Sequence, residues 1–223
     1  MEVLLALITV TLVIAMAIAI VQASFFEWAF HRFWLHRPWL PESCFTAHTL
    51  VHHQLCKYGD TFHVTEPEQE EALTFQWWGG PVLIAINVLP WVLVAWGMTR
   101  LHSGVPMVPG LIAFSVTFLA YYIGYEGLHY LMHKPRFAFI ENSGFFRFIK
   151  HHHAIHHVRM NKNLNVVLPI ADFCLGTLVL EMPDLAAKPT GERAKFTARQ
   201  HSRFGRQLRE DEQEKRASGA GSR

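Results

Sequence analysis

Charged residues are absent from three long stretches of this chain, residues 3–26, 72–99 and 101–125. Each exceeds the roughly 20 apolar residues that a helix needs to cross a hydrocarbon layer about 30 Å thick. The pattern predicts an all-α integral membrane protein with about three transmembrane helices. The first run also resembles a cleaved signal, with Val21-Gln22-Ala23 as its small-residue site. A signal wants a positive start and an apolar core of only about 7–15 residues. Here the start offers Glu2 and no Lys or Arg, so a retained helix is expected.

Breakers and polar stretches divide the remainder. The first helix is expected to run on through Glu27 to His36 and Arg37, until Pro38 and Pro41 end it. Trp28, Trp34 and Trp39 with Arg32 and Arg37 form an aromatic and basic belt of the kind found where membrane meets water. A polar, helix-compatible stretch covers 42–57, and Tyr58-Gly59-Asp60 breaks it. Pro81 and Pro90, with Gly79 and Gly80, are expected to kink the second apolar helix. Residues 98–109, with Gly104, Pro106 and Pro109, form a short turn, so the second and third helices make a hairpin. The third runs from about Gly110 to His133, where Lys134-Pro135 stops it. Residues 166–182 are apolar but interrupted by Pro169, Asp172 and Gly176, which suits an interfacial segment better than a span. A membrane-embedded domain over 1–185 is therefore expected. Residues 186–223, first basic and then acidic, read as a disordered tail with surface contact before Arg209.

Three spans joined in this way put residues 31–53 and 129–157 on one side of the bilayer. Arg32, Arg37, Lys57, Lys134, Arg136, Arg147 and Lys150 share that side, and Arg100 alone marks the opposite turn. The bias of Lys and Arg towards cytoplasmic loops makes it the cytosolic side. The formal net charge of only +2 gives no reason to expect nucleic acid as a partner. Cys44, Cys56 and Cys174 have no CxxC spacing and read as apolar fillers.

That side also holds most of the 15 histidines. Five of them lie between His151 and His157, a density that core packing does not explain. Neutral imidazole suits zinc, copper, iron and nickel. His129 and His133 are four apart, on one helical face. His153, His156 and His157 repeat that stripe, and so do His48 and His52, with His53 turned about 100° away towards a second ion. His31 and His36 are five apart, so the helix end must distort or the two must face different ions. Ten imidazoles are too many for one ion and suit two with about five each. His151 or His152 could substitute for His153 in a shifted register, whereas His63, His102 and His201 read as isolated surface or loop residues. Glu27, four before His31, and Glu126, three before His129, are placed to accept the imidazoles' other N–H, with Asp60 and Asp172 as looser candidates.

Other chemistries fit less well. Glu126-x-x-His129 resembles the ligand pair of soluble carboxylate di-iron bundles, but those need a second such pair and two further glutamates. A bis-histidine haem would want histidines deep within the spans, and a zinc hydrolase would want His-Glu-x-x-His. A non-catalytic metal-binding membrane protein stays open and is separated from an enzyme by product formation.

His31-x4-His36, His48-x3-His52-His53, His129-x3-His133 and His153-x2-His156-His157 resemble the histidine boxes of the fatty acid hydroxylase superfamily. That group includes fatty acid and sterol hydroxylases, C-4 sterol methyl oxidases, sterol desaturases and carotenoid hydroxylases. The resemblance covers residues 24–177, and the Asn165 to Asp172-x3-Gly176-Thr177 segment is similar to one that follows the last box in those proteins. The second box departs from their His-x2-His-His by one residue, at His48. The resemblance implies two iron ions with O2 as co-substrate, and hydroxylation or desaturation of a bilayer lipid such as a fatty acyl chain or sterol. A carotenoid or other isoprenoid substrate is its alternative. With no haem-binding cytochrome b5 segment in the chain, it also implies an external electron donor of ferredoxin or cytochrome b5 type. Trp77, Trp78, Phe118, Tyr121, Tyr122 and Tyr125 are expected to line the substrate path.

Overall fold

The computed structural model describes residues 1–39, 41–57, 61–65, 67–101 and 104–182. The expected tail, Asp60, His102 and His201 lie outside these residues. Among them all regular structure is helical. Three helices are long and apolar enough to cross a membrane: α1 (Glu2–Phe30), which continues through a turn of π-helix at His31–Leu35, α4 (Gly79–Arg100) and α5 (Met107–His133). Short helices α2 (Glu42–Phe45) and α3 (His53–Leu55) flank a second π-helix at Thr46–His52. A 3₁₀ segment at Pro67–Leu73 precedes α4, and α6 (Ala138–Glu141), α7 (Gly144–Val158) and α8 (Ile170–Cys174) follow α5.

The three long helices pack around Ala19 and Ala23 of α1 and Phe114 and Phe118 of α5, with Ile84, Val88 and Trp91 of α4 closing over them. Small residues on α1 let the rings of α5 approach its backbone. Gln22 adds a polar clasp, donating to Asn87 Oδ1 (3.1 Å) and accepting from Trp91 Nε1 (2.8 Å), so these intramembrane-type polar groups are paired. The outward faces carry large exposed apolar side chains, among them Val10, Val13, Ile86, Leu93, Ile112 and Val116. A surface of that kind suits hydrocarbon better than water.

The second helix starts later than the charge-free run suggested. Ala72 and Leu73 complete the 3₁₀ segment, and α4 begins only at Gly79. Pro81 then sits in its first turn, where a missing N–H costs nothing, while Pro90 is carried inside a continuous helix. α7 is capped by Ser143, whose hydroxyl accepts from Phe146 N (3.2 Å). Its buried stripe of Phe146, Ile149, His152, His153, Ile155 and His156 faces the ends of α1 and α5. Met132, Tyr125, Phe62 and Val166 pack against that stripe.

Candidate metal centre

Two π-helical turns decide how the histidines are sorted. At the end of α1 the backbone bond runs from His36 N to His31 O (3.2 Å), and the wider winding brings residues five apart into line. The His31 and His36 rings therefore stack 4.9 Å apart on one side. The π-helix at Thr46–His52 does the same for His48 and His53, whose Nε2 atoms lie 3.1 Å apart. His52 is rotated away from both. An ordinary helix would have paired His48 with His52, as the sequence suggested, and the extra residue in the turn changes the partner.

The outcome is two groups. His31, His36, His48, His53 and His156 each offer a ring nitrogen, all within 4.8 Å of one another, and His52, His129, His133 and His153 do likewise. His157 stands at the edge of the second group, with its Nε2 3.0 Å from that of His153 and its ring stacked 4.3 Å from His53. All ten histidines singled out by spacing thus converge, and the stripe on α7 serves both groups, His156 in one and His153 in the other. His152 points elsewhere, its Nε2–H donating to Asp172 Oδ2 (3.1 Å). His151 is exposed and donates to Leu180 O (3.1 Å), and His63 accepts from Lys150 Nζ (2.9 Å).

The hydrogen bonds fix which nitrogen faces inward. Nδ1–H donates to a backbone carbonyl in His129 (Leu73 O, 2.8 Å), His133 (Phe62 O, 2.7 Å), His156 (Lys162 O, 2.8 Å) and His31 (Leu164 O, 2.5 Å). Carbonyl oxygen can only accept, so each of these rings carries its lone pair on Nε2. Thr49 settles His36. Its hydroxyl proton goes to Leu35 O (2.6 Å), so it accepts from His36 Nδ1–H (2.9 Å). Nε2 of His36 and Nε2 of His156 are then both bare, 3.0 Å apart. Two lone pairs at that distance repel unless a cation sits between them. Nitrogens about 2.1 Å from one ion stand roughly 3.0–3.4 Å apart at neighbouring positions. The Nε2 contacts here run from 2.8 Å (His31–His48) to 3.2 Å (His53–His156 and His52–His129). The donor set fits a metal ion in each group.

A proton would serve less well as the cation. Burial, followed by the charge of His156, pushes His36 down to about 2, and burial pushes His156 down to about 4. Burial, then neighbouring imidazoles, holds His48, His52, His53, His153 and His157 well below the usual histidine range. All seven rings are neutral at pH 7, the form that binds metal.

The carboxylates take other roles than those expected from spacing. Glu27 accepts from Tyr121 OH (2.7 Å), Asn165 Nδ2 (3.0 Å) and Val166 N, and none of its partners among the described residues is an imidazole. Glu126 accepts from Phe75 N (3.2 Å), because the Nδ1–H of His129 is already given to Leu73 O. Asp172 is fully buried. Burial alone would raise its carboxyl, but donors from His152, Thr177, Asn165 and Leu164 outweigh that and hold it below the usual carboxylate range.

A small apolar slot opens between α1, α4 and α5, with His31 and Leu35 among its lining. Phe118, Tyr121, Tyr122 and Tyr125 line it as expected, joined by Phe26, Phe30 and Phe75. Trp77 and Trp78 do not, since both lie exposed in the turn before α4. Gly80 backs Tyr122 of this lining: a Cβ there would come within 2.7 Å of the Tyr122 ring.

Comparison with the known protein families, with curated proteins and with solved structures finds no match. Fold and site together define a helical protein with three helices apt to cross a membrane and two buried histidine groups that could hold metal ions.

Proposed function

We propose that this protein is a membrane-bound oxygenase that hydroxylates or desaturates a lipid, using O2 and an external electron donor of ferredoxin or cytochrome b5 type. The observation that carries the reading is the set of bare Nε2 atoms beside an apolar slot that His31, one of their number, lines. Lipid-facing helices and a hydrocarbon-lined slot suit a substrate drawn sideways from the bilayer, and histidine groups in pairs suit two iron ions. The basic residues that share the histidine end support a cytosolic position for it under the bias of Lys and Arg.

Iron held by these imidazoles would supply O2 binding and the oxidising power for an unactivated C–H bond. The chain's own contribution is geometric. Backbone carbonyls turn Nε2 inward in His31, His129, His133 and His156, Thr49 does so for His36, and the burial of both groups keeps water from the oxidant. Phe118, Tyr125 and Phe75 give the slot a largely aromatic lining, while the oxygens of Glu27 are occupied by three donors rather than offered to the substrate. For hydroxylation the balance is one C–H bond and O2 with two electrons and two protons, giving one C–OH and water.

Metal analysis of anaerobically purified protein, paired with mass spectrometry of host lipids made with and without the chain, tests this. Iron near two per chain and a new oxidised or unsaturated lipid are expected. Bound metal with unchanged lipids would leave a non-catalytic metal protein, and protein without iron would sink the reading.

A further inference from the structure

The carbonyls that orient His31, His129, His133 and His156 come from two separate pieces of chain, and each piece is held by a carboxylate that touches none of the ten rings. Lys162 O and Leu164 O serve His156 and His31, both of the five-membered group. Phe62 O and Leu73 O serve His133 and His129, both of the other group. We propose that the two groups are templated independently, with Asp172 as the positioning residue for the first and Glu70 for the second.

Asp172 grips the 162–166 segment by its amides. Its Oδ1 accepts from Leu164 N (2.9 Å) and Thr177 Oγ1 (2.6 Å), and its Oδ2 from Asn165 N (2.8 Å) and His152 Nε2 (3.1 Å). Asn163, at φ 53, completes the grip, donating from Nδ2 to His152 O (3.0 Å) and accepting Val179 N (2.7 Å) at Oδ1. The peptide that carries Leu164 O is held directly through Asn165 N, that carrying Lys162 O is tied through Asn163 N to Thr177 O (3.1 Å), and Glu27 anchors Val166 N and Asn165 Nδ2 (3.0 Å) beyond them. Glu70 sits on the other segment and fastens it to the end of α5, accepting from Lys134 Nζ, from Tyr130 OH (2.5 Å) and from Arg136 Nη2 (3.3 Å). Val64 N, donating to His133 O (2.8 Å), is a second tie on that side.

The consequence is separability. An imidazole presents the correct nitrogen only while its other N–H has its acceptor, and loss of such an outer partner weakens metal affinity by about 10–100-fold. Releasing the 162–166 segment disturbs His31 and His156 and leaves Phe62 and Leu73 in place. Releasing the 62–73 segment does the reverse. Asp172 is buried with four donors, so its effect belongs at the upper end of that range. Glu70 is partly exposed and backed by Val64, so its effect belongs at the lower end.

The inference rests on the reading that each group binds an ion, and the test distinguishes the two. Purified full-length protein is titrated with Co(II), with metal per chain, visible d–d absorption and helix content as readouts. Wild type takes up two ions. Asp172→Ala retains one tight ion and loses the spectrum of the five-membered group. Glu70→Ala weakens the other ion by about 10-fold, and the double variant weakens both. The milder Asp172→Asn, which keeps one acceptor, falls between wild type and Asp172→Ala. Parallel weakening of both ions in Asp172→Asn, or wild-type affinity for both in Asp172→Ala, overturns separate templating. A wild-type chain that takes up no metal sinks the metal reading instead.

Discussion

His36 and His156 face one another through Nε2 atoms 3.0 Å apart, with the Nδ1–H of each already given away, one to Thr49 and one to Lys162 O. Sequence separation of 120 residues is thus closed by a contact that repels without a cation. Replacing either ring with alanine removes both the repulsion and a ligand. His36→Ala and His156→Ala are expected to bind about one fewer ion per chain and to abolish lipid oxidation, read by metal analysis and lipid mass spectrometry. Full oxidation in His156→Ala would sink the proposed function.

Acid should destabilise the metal-free protein, and the sign follows from the depressed folded-state values. An unfolded imidazole takes a proton near 6.5, whereas His156 does so only at about 4 and His36 at about 2. Below 6.5 the unfolded chain binds more protons, at a cost of up to about 1.4 kcal/mol per pH unit for each such ring. The stability is fully present above 6.5 and is lost as pH falls from there towards 4 and below. Thermal unfolding of chelated protein from pH 8 to pH 4 should show a flat region and then a steep fall. Bound metal, which competes with protons, should move the fall to lower pH.

Gly80 is expected to control the slot. Gly80→Val places side-chain atoms where the Tyr122 ring now lies, and that ring, being the far end of a side chain, must swing. The overpacking should cost about 1–3 kcal/mol. Uptake of a photoreactive alkyl probe, mapped by cross-linking to Phe118 and Tyr125, should fall, whereas Gly80→Ala should show a smaller change. Unaltered labelling in Gly80→Val would exclude the Tyr122 side of the slot from the binding path.

Glu27 should matter for stability through its oxygens. Three donors converge on the carboxylate, and Glu27→Gln would turn an amide NH2 towards at least one of them. A loss of about 1–3 kcal/mol is expected. Tyr121→Phe, which removes one donor and leaves two, should cost less, and chemical denaturation of the two variants compares them directly.

Much of the architecture was legible because charge exclusion is a strong constraint: the charge-free runs mark α1, α4 and α5, and Lys134-Pro135 marks where α5 stops. The assembly of ten histidines was legible too, from doublets at helical spacing. Their division was not. A π-turn adds one residue to a single turn and leaves no periodic trace, so His48 was matched to His52 rather than to His53. The acceptors Leu73, Phe62, Lys162 and Leu164 act through carbonyls that every residue possesses, and no sequence pattern marks them. Spacing aimed Glu27 and Glu126 at histidines, but the tertiary fold brought the Val166 and Phe75 amides closer.

Both histidine groups receive their last member from α7, His156 in one and His153 in the other. During synthesis, residues 31–53 and then 129–133 emerge before it, so the growing chain holds only partial sets of donors. A partial set is a weak chelator with several competing arrangements. Under the proposed function, metal insertion would therefore follow the emergence of α7 from the ribosome. An ion captured earlier by the first seven of the ten donors would have to be released or rearranged before the helix could dock.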